Sequence, residues 1–506
     1  MMDGVLQGVG TALSGYNIFM VAIGCFAGTF IGMLPGLGPI SAIALMIPIT
    51  YGMDPASGLI LIAGVYYGAI FGGSTSSILI NAPGVAGTVA SSFDGYPMAK
   101  KGQAGKALAI AAYASFTGGT IAAIFLLFAA PALASVSLSF QSSDYFALMV
   151  LGLTAVAAFA GKGKFLKAAI MTVFGLMLAT VGTDSDSGIA RFTFGRLDLI
   201  DGISFLLLAM AAFALSEALM NVLENKDHSD KEKEELKKDI GSLKLTKEEV
   251  KEMVPTVGRS SVLGFFVGVL PGAGATIASF LAYGMERSFA KAKEKLTFGK
   301  GNVKGLAAPE SANNAACSGS FVPLLTLGIP GSGTTAIILG ALISYGIQPG
   351  PTMYVDNPAL FWSVIISMYI GNIVLLILNL PLIPYIAKLL TLPRQLLLPL
   401  IIFFSLIGVY LVTFNNFDIY MMTIFAVVAL FLRLIDYPMA PMILGFILGG
   451  MMEDNLRRAL TISDGSLSFL WERPITLSIL IITVLVLFMP VISEFFAKMK
   501  EKRKEA

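Results

Sequence analysis

Four clusters of helix breakers and small polar residues stand in apolar surroundings and could act together on one ligand. They are Pro35-Gly36-Leu37-Gly38, Gly72-Gly73-Ser74-Thr75-Ser76-Ser77, Pro271-Gly272-Ala273-Gly274-Ala275-Thr276 and Pro330-Gly331-Ser332-Gly333-Thr334-Thr335. Pro at a first helical position, or Gly just ahead of a helix, suits a helix start. A helix start carries roughly +0.5 charge and unpaired N–H donors, and so attracts anions. Four such starts meeting at one depth would form a cage of N–H and O–H donors suited to a carboxylate. Carbonyls and hydroxyl oxygens freed at the same breaks suit a hard cation such as sodium. On this reading the substrate is held by Gly36, Gly38, Ser74, Thr75, Ser76, Asn81, Gly272, Gly274, Thr276, Asn313, Asn314, Ser332, Gly333, Thr334 and Thr335. The sodium ion would sit near Gly36, Gly84, Gly272 and Gly331. Gly, Ser and Thr also let membrane helices pack closely. For any one residue that packing role competes with ligand contact, but four clusters forming two matched pairs favour a site.

Other chemistry is sparse. Asp94, Asp144, Glu217 and Glu310 are the acidic residues in apolar stretches, all near expected span ends. Glu310, in "APESANNAACSGS", opens the second broken segment beside Asn313 and Asn314. An ionisable group at membrane depth is functional by default, which makes Glu310 the candidate coupling residue; at the surface it would be only a cap. No Lys or Arg occurs between residues 58 and 99 or between 305 and 387. A bound carboxylate would then be balanced by helix N-termini, hydroxyls, Asn amides and a coupling cation, the rival being a loop Lys such as Lys100 or Lys304. "GIPGSGTTA" lacks the Lys of a phosphate loop. "PGAGAT" lacks the strand and acidic partner of a dinucleotide fold. His228 is the only His and lies in a charged stretch, so a His-based triad is excluded. "TDSDSG" (183–188) lacks the later acidic positions of a calcium loop. Cys25 and Cys317 have no disulfide or metal spacing and read as packing residues. No catalytic residue and no resident cofactor is expected.

The elements that position these residues follow from composition. Of 506 residues, 56% are hydrophobic and 13% charged; mean hydropathy is +0.80. A soluble chain carries about a quarter charged residues, so this is an all-α polytopic membrane protein. Its net charge of +2 resides in short loops and points to no nucleic-acid partner. The N-terminus "MMDGVLQGVG" lacks the basic region of a cleaved signal peptide. A span needs roughly 20 apolar residues. Single spans are expected at 106–135, 144–160, 164–182, 201–221, 359–388, 396–413, 416–434 and 475–497, in a total of about 12 membrane segments. The stretches 17–50, 58–90, 258–285 and 311–345 are apolar but interrupted by Pro and Gly, and 438–452 is short enough to be a span or a re-entrant piece. Residues 224–255 form a charged cytoplasmic linker between a first membrane repeat (1–223) and a second (256–474); 475–506 adds a last span and a basic cytoplasmic tail.

The halves resemble each other. "FAGTFIGMLPGLGPISA" (26–42) matches "LGFFVGVLPGAGATIAS" (263–279), aligning Pro35-Gly36 with Pro271-Gly272 and Gly38 with Gly274. Pro83-Gly84 aligns with Pro330-Gly331, Gly72 with Gly319 and Thr88 with Thr335. Lys and Arg in short loops mark the cytoplasmic side. Loop 51–58 has neither and 98–106 is basic, whereas the equivalent loops 285–305 and 345–358 are basic and uncharged by Lys or Arg, respectively. The swap implies an inverted-topology repeat with discontinuous helices, a transporter architecture compatible with elevator-like movement. Segments 17–50 and 258–285 are then re-entrant hairpins, or else single kinked spans.

At "GMLPGLGP", "YYGAIFGGSTSSILINAPG", "GVLPGAGAT" and "APESANNAACSGSFVPLLTLGIPGSGTTA" the chain resembles the large membrane subunit of tripartite tricarboxylate transporters. The resemblance runs through nearly the whole chain. It implies a cation-coupled, secondary-active importer subunit in a bacterial or archaeal inner membrane, translocating tri- and dicarboxylates such as citrate. It also implies a small four-span membrane subunit and a periplasmic substrate-binding protein as partners. Absence of intramembrane His tilts the coupling ion toward sodium over protons. The competing readings are a passive anion channel with re-entrant selectivity loops, an intramembrane enzyme and a membrane scaffold. The enzyme lacks a nucleophile–base pair, and the scaffold would not need matched helix breaks.

Overall fold

The computed structural model describes residues 2–34, 37–160, 163–184, 186–224, 240–350, 352–388 and 394–488. Gly36, most of the charged linker with His228, and the basic tail lie outside the described residues. The chain forms α1 (Met2–Ala12), α2 (Gly15–Met33), α3 (Gly38–Thr50), α4 (Pro55–Ile80), α5 (Val89–Lys100), α6 (Ala104–Ser137), α7 (Ser142–Ala158) and α8 (Phe165–Ala179). Then come α9 (Phe205–Leu223), α10 (Lys247–Val269), α11 (Gly274–Phe289), α12 (Val303–Gly319), α13 (Phe321–Leu327) and α14 (Gly333–Ser344). The last are α15 (Pro358–Asn379), α16 (Arg394–Thr413), α17 (Asn416–Leu434), α18 (Met439–Ile462) and α19 (Pro474–Phe488). Strand structure among the described residues is one two-residue hairpin, Gly182–Thr183 with Ala190–Arg191. Among the described residues, six helices (α2, α4, α6, α9, α15 and α17) are long and apolar enough to cross a membrane.

Local signals set the boundaries. Asp54 caps α4, its carboxylate accepting from the amides of Ala56 and Ser57 at 3.1 and 3.3 Å, with Pro55 at the first position. Thr246 and Glu249 form a reciprocal capping box. Helix α10 therefore begins at Lys247, inside the stretch read as linker. The short segment 438–452 belongs to the 24-residue helix α18.

Glycine seams fix how the broken segments run. Gly24, Gly28 and Gly32 of α2 face the carbonyls of Leu61, Val65 and Ala69 of α4 so closely that a Cβ would collide. Both sets of numbers rise together, so α2 and α4 are parallel. Helix α3, the only connection, must run back between them. Gly264 and Gly268 of α10 face the carbonyls of Ala312 and Ala316 of α12 in the same sense, and α11 must return likewise. Both interrupted stretches are thus hairpins, the first turning back between α2 and α3 and the second at residues 270–273.

The second breaks differ from expectation in one place. Residues 72–77 are not a helix start: they lie inside α4, which continues to Ile80. Gly72 is needed against the Thr29 carbonyl and Gly73 against Val85. The chain leaves α4 at Asn81, in the left-handed region at φ 53°. It doubles back until the Thr88 hydroxyl reaches the Gly73 carbonyl at 3.1 Å, and a 3₁₀ turn, Ala86–Thr88, leads into α5. In the second half α13 ends at Gly328 (φ 68°), and α14 starts at Gly333. Gly84 lies on the Gly32 carbonyl, and Gly331 on the Gly268 carbonyl.

The halves also interlock: α6 packs on α12, and α15 on α4. Helix α4 is enclosed along its apolar length, with Tyr66, Tyr67 and Phe321 grouped at centroid separations of 5.9–6.1 Å. Apolar rings of Phe403, Phe404, Tyr420 and Phe431 on α16 and α17 remain exposed.

Candidate functional site

Three of the four expected helix starts, at Gly38, Gly274 and Gly333, open helices α3, α11 and α14. They meet at a cavity of about 480 Å³. The fourth wall is the turn Val85-Ala86-Gly87 that leads into α5. The alignment of Pro83-Gly84 with Pro330-Gly331 held the signal for this start: residues 85–88 are the counterparts of 332–335. Gly38 and Gly274, aligned in the two halves, take nearly the same left-handed φ, 63° and 60°. The first N–H groups of a helix have no intrahelical acceptor, so starts that border one cavity place amide donors beside it, apart from those that the Ser332–Thr335 capping box takes up.

Of the sequence-derived site residues, Gly38, Gly272, Gly274, Thr276, Ser332, Gly333 and Thr334 line this cavity, together with Ser41 and Tyr66. Gly36 is outside the described residues, and the others lie behind the wall. Ser74 donates to Glu310 at 2.7 Å, and Thr75 borders a separate small void. Ser76 accepts from the Gly84 amide at 3.1 Å, and Asn81 caps the end of α4. Thr335 is fully buried and shares a reciprocal capping box with Ser332, at 2.8 and 3.2 Å. Asn313 and Asn314 are buried in α12. Of the residues proposed to surround sodium, Gly272 borders the cavity. Its amide donates to the Gly331 carbonyl at 3.0 Å, which ties the α10–α11 turn to the α13–α14 break. Lys304 is paired with Glu294, and Lys100 stacks over Tyr96; neither lines the cavity.

Glu310 is fully buried in the middle of α12, not at its surface end. One carboxyl oxygen accepts from Ser74 at 2.7 Å and from Ser115 at 2.9 Å. The other has no hydrogen-bond partner among the described residues. A polar chain leads from the Glu310 backbone to the cavity wall. Asn314 donates to the Glu310 carbonyl at 3.1 Å and to the Asn313 side chain at 2.7 Å, and Asn313 donates to the carbonyl of Gly87 at 3.5 Å.

Sequence reasoning missed Arg433. It stands in the last turn of α17 and lines the cavity beside Glu217. The two form an ion pair, and Arg433 also donates to the Ala212 carbonyl at 2.9 Å. Among the described residues, the cation that lines the cavity is therefore a helix residue, not a loop lysine. Its signal was one Arg in an apolar run, "MMTIFAVVALFLRLIDYP", at the end of the expected span 416–434.

Broken helices whose starts line one cavity, within a largely apolar helical body, define a multi-pass membrane protein. The sequence profile of the tripartite tricarboxylate transporter TctA family matches residues 18–444, and the chain belongs to that family, the large membrane subunit of such transporters. It is similar to the "Uncharacterized 52.8 kDa protein in TAR-I ttuC' 3'region" of Agrobacterium vitis, with 45% identity over 480 residues, 95% of this chain and 94% of that one. The "Uncharacterized protein in TAR-II ttuC' 3'region" of the same organism is 46% identical over 217 residues, 43% of this chain and 89% of that one. No solved structure matches.

Proposed function

We propose that this chain is the translocating subunit of a secondary-active importer of tri- and dicarboxylates such as citrate. It works with a small four-span membrane subunit and a periplasmic binding protein that delivers the substrate, in the inner membrane of a bacterial or archaeal cell. The observation that carries the reading is the convergence of four helix starts on one cavity, since N-terminal amides at a shared point favour an anion. The swapped loop charges and the matched order of hairpin, long helix, break and helix support an inverted repeat, the frame in which such starts serve alternating access. The coupling ion is sodium, with protons as the alternative, and Glu310 is the coupling residue. A carboxyl enclosed by hydroxyls on one oxygen and unpartnered on the other is a place to hold a proton or a small cation.

The test is uptake of labelled carboxylates by vesicles holding all three subunits, with sodium and proton gradients imposed separately. Accumulation above the outside concentration, lost when the driving gradient collapses, is expected. Downhill equilibration alone would make the chain a channel. Cysteines placed in 51–58 and in 285–305 should label from opposite sides; labelling from one side removes the inverted repeat.

A further inference from the structure

Helix α9 is interrupted by a π-helical segment, Met210–Leu215. Such segments widen the helix and loosen the regular carbonyl pattern, and they are frequent at functional sites. Here two carbonyls of the segment are taken by side chains from the cavity wall. Phe213 accepts from the Ser41 hydroxyl at 3.2 Å, and Ala212 accepts from Arg433 Nη2 at 2.9 Å. One turn on, Glu217 pairs with Arg433 Nη1. The guanidinium lies 5.9 Å from the centre of the Phe213 ring. Its Nε–H is buried with no acceptor among the described residues. A guanidinium has five donors in a planar fork that matches a carboxylate on two of them. An unused buried donor on that fork, beside a cavity walled by helix starts, points to an anion other than a side chain of the described residues.

We propose that Glu217 is the internal stand-in for the substrate: the transported carboxylate takes Glu217's place on Arg433, and Glu217 returns to Arg433 when the substrate leaves. This deepens the reading of the cavity as a carboxylate site and rests on it. The exchange keeps Arg433 neutralised in both states. An unpaired guanidinium in a partly buried site is costly, and losing one partner of such a pair costs far more than the pair is worth. An empty carrier must nevertheless reorient to fetch new substrate. With Glu217 on Arg433 it does so without an uncompensated charge.

The test uses the three-subunit complex in vesicles, with labelled citrate, malate and succinate as probes and the best-transported one kept. Glu217→Gln removes the competitor while preserving side-chain size. Exchange into carboxylate-loaded vesicles should persist, with half-saturation about tenfold lower, equivalent to about 1.4 kcal/mol. Net uptake into empty vesicles should fall at least about tenfold, because the empty carrier strands its Arg433. Arg433→Lys should lose both activities, as a point charge does not replace a fork. A readout on the unaltered chain guards against variants that do not fold: phenylglyoxal modification of Arg433, followed by mass spectrometry. The transported carboxylate should slow it, since it covers the fork. If the unaltered complex moves none of the probes, the carboxylate reading fails and this proposal with it. If it moves one, yet Glu217→Gln leaves half-saturation and the ratio of exchange to net uptake unchanged, or Arg433 modification ignores the substrate, only the exchange is overturned.

Discussion

The second breaks of the two halves share a Pro-Gly step and a neighbouring set of hydroxyls, yet they use those hydroxyls differently. Around Pro83-Gly84 the hydroxyls of Ser74, Ser76, Ser77 and Thr88 are sealed in packing, bonded to Glu310, to the Gly84 amide and to the Gly73 carbonyl. Around Pro330-Gly331, Ser332 and Thr334 border the cavity. The cause is position relative to the step. In the first half Ser74, Ser76 and Ser77 precede it, on a helix that continues past them, and Thr88, which follows it, is bonded back to the Gly73 carbonyl. In the second the hydroxyls follow it, on the first turn of a new helix. The backbone path is therefore alike at the two breaks, but Ser332 and Thr334 border the cavity, whereas the hydroxyls ahead of Pro83-Gly84, and the matched Thr88 and Thr335, are turned into packing.

This contrast can be broken in several ways. The largest effect belongs to the shared backbone. Gly32→Val and Gly268→Val each put a side chain into a facing carbonyl, and both should cost more than the roughly 1–3 kcal/mol of ordinary overpacking. Loss of the folded peak on gel filtration in detergent is the readout; if only one variant suffers, the two seams are not equivalent. Next come the hydroxyls that face the cavity. Thr334→Ala should raise the half-saturation for carboxylate about tenfold, following the roughly 1.5–3 kcal/mol of a hydrogen bond to a charged group. Ser76→Ala should leave half-saturation alone and instead lower stability by about 1 kcal/mol through the orphaned Gly84 amide, read as a shift in thermal unfolding. A transport defect in Ser76→Ala without loss of stability would erase the distinction.

The smallest effect concerns the loop that joins α8 to α9. Hydrogen bonds from Arg457, then the Ser187 amide, hold the Asp184 carboxyl well below the usual carboxylate range. A depressed folded value stabilises the charged loop above the ordinary aspartate pKa of about 3.9, and the contribution is lost only as pH falls through the depressed value. Amide exchange of residues 186–191 should thus be the same at pH 8 and pH 5 once intrinsic rates are corrected, and faster at both in Asp184→Asn.

Much of this was legible in the residues. Apolar runs gave α6, α7, α8, α9, α15, α16, α17 and α19 to within a few residues at most ends, because a lipid-facing helix has to be apolar along its length. Three helix starts were legible because Gly in the left-handed region and Pro at a first turn leave few alternatives. What was not legible is distance in space. Ser74 and Glu310 lie 236 positions apart in sequence and 2.7 Å apart in the fold, and nothing local to either announces the other. The π-helical turn in α9 carries no Pro or Gly to mark it; "MAAFAL" reads as ordinary helix. Arg433 was hidden for the converse reason: a lone cation at a predicted span end is usually a surface anchor, and only the tertiary position of α17 turns it inward.

The central claim, that carboxylate is held where the helix starts meet and not along α4, has one direct test. Cys25 and Cys317 are fully buried, so introduced cysteines can be read against them. Thr334→Cys and Ser76→Cys should be made in the full complex and their alkylation followed with and without the transported carboxylate. The account predicts that Thr334→Cys reacts and is protected by the carboxylate at concentrations near its half-saturation for uptake, while Ser76→Cys reacts slowly and indifferently to it. Protection at Ser76→Cys with none at Thr334→Cys would contradict it.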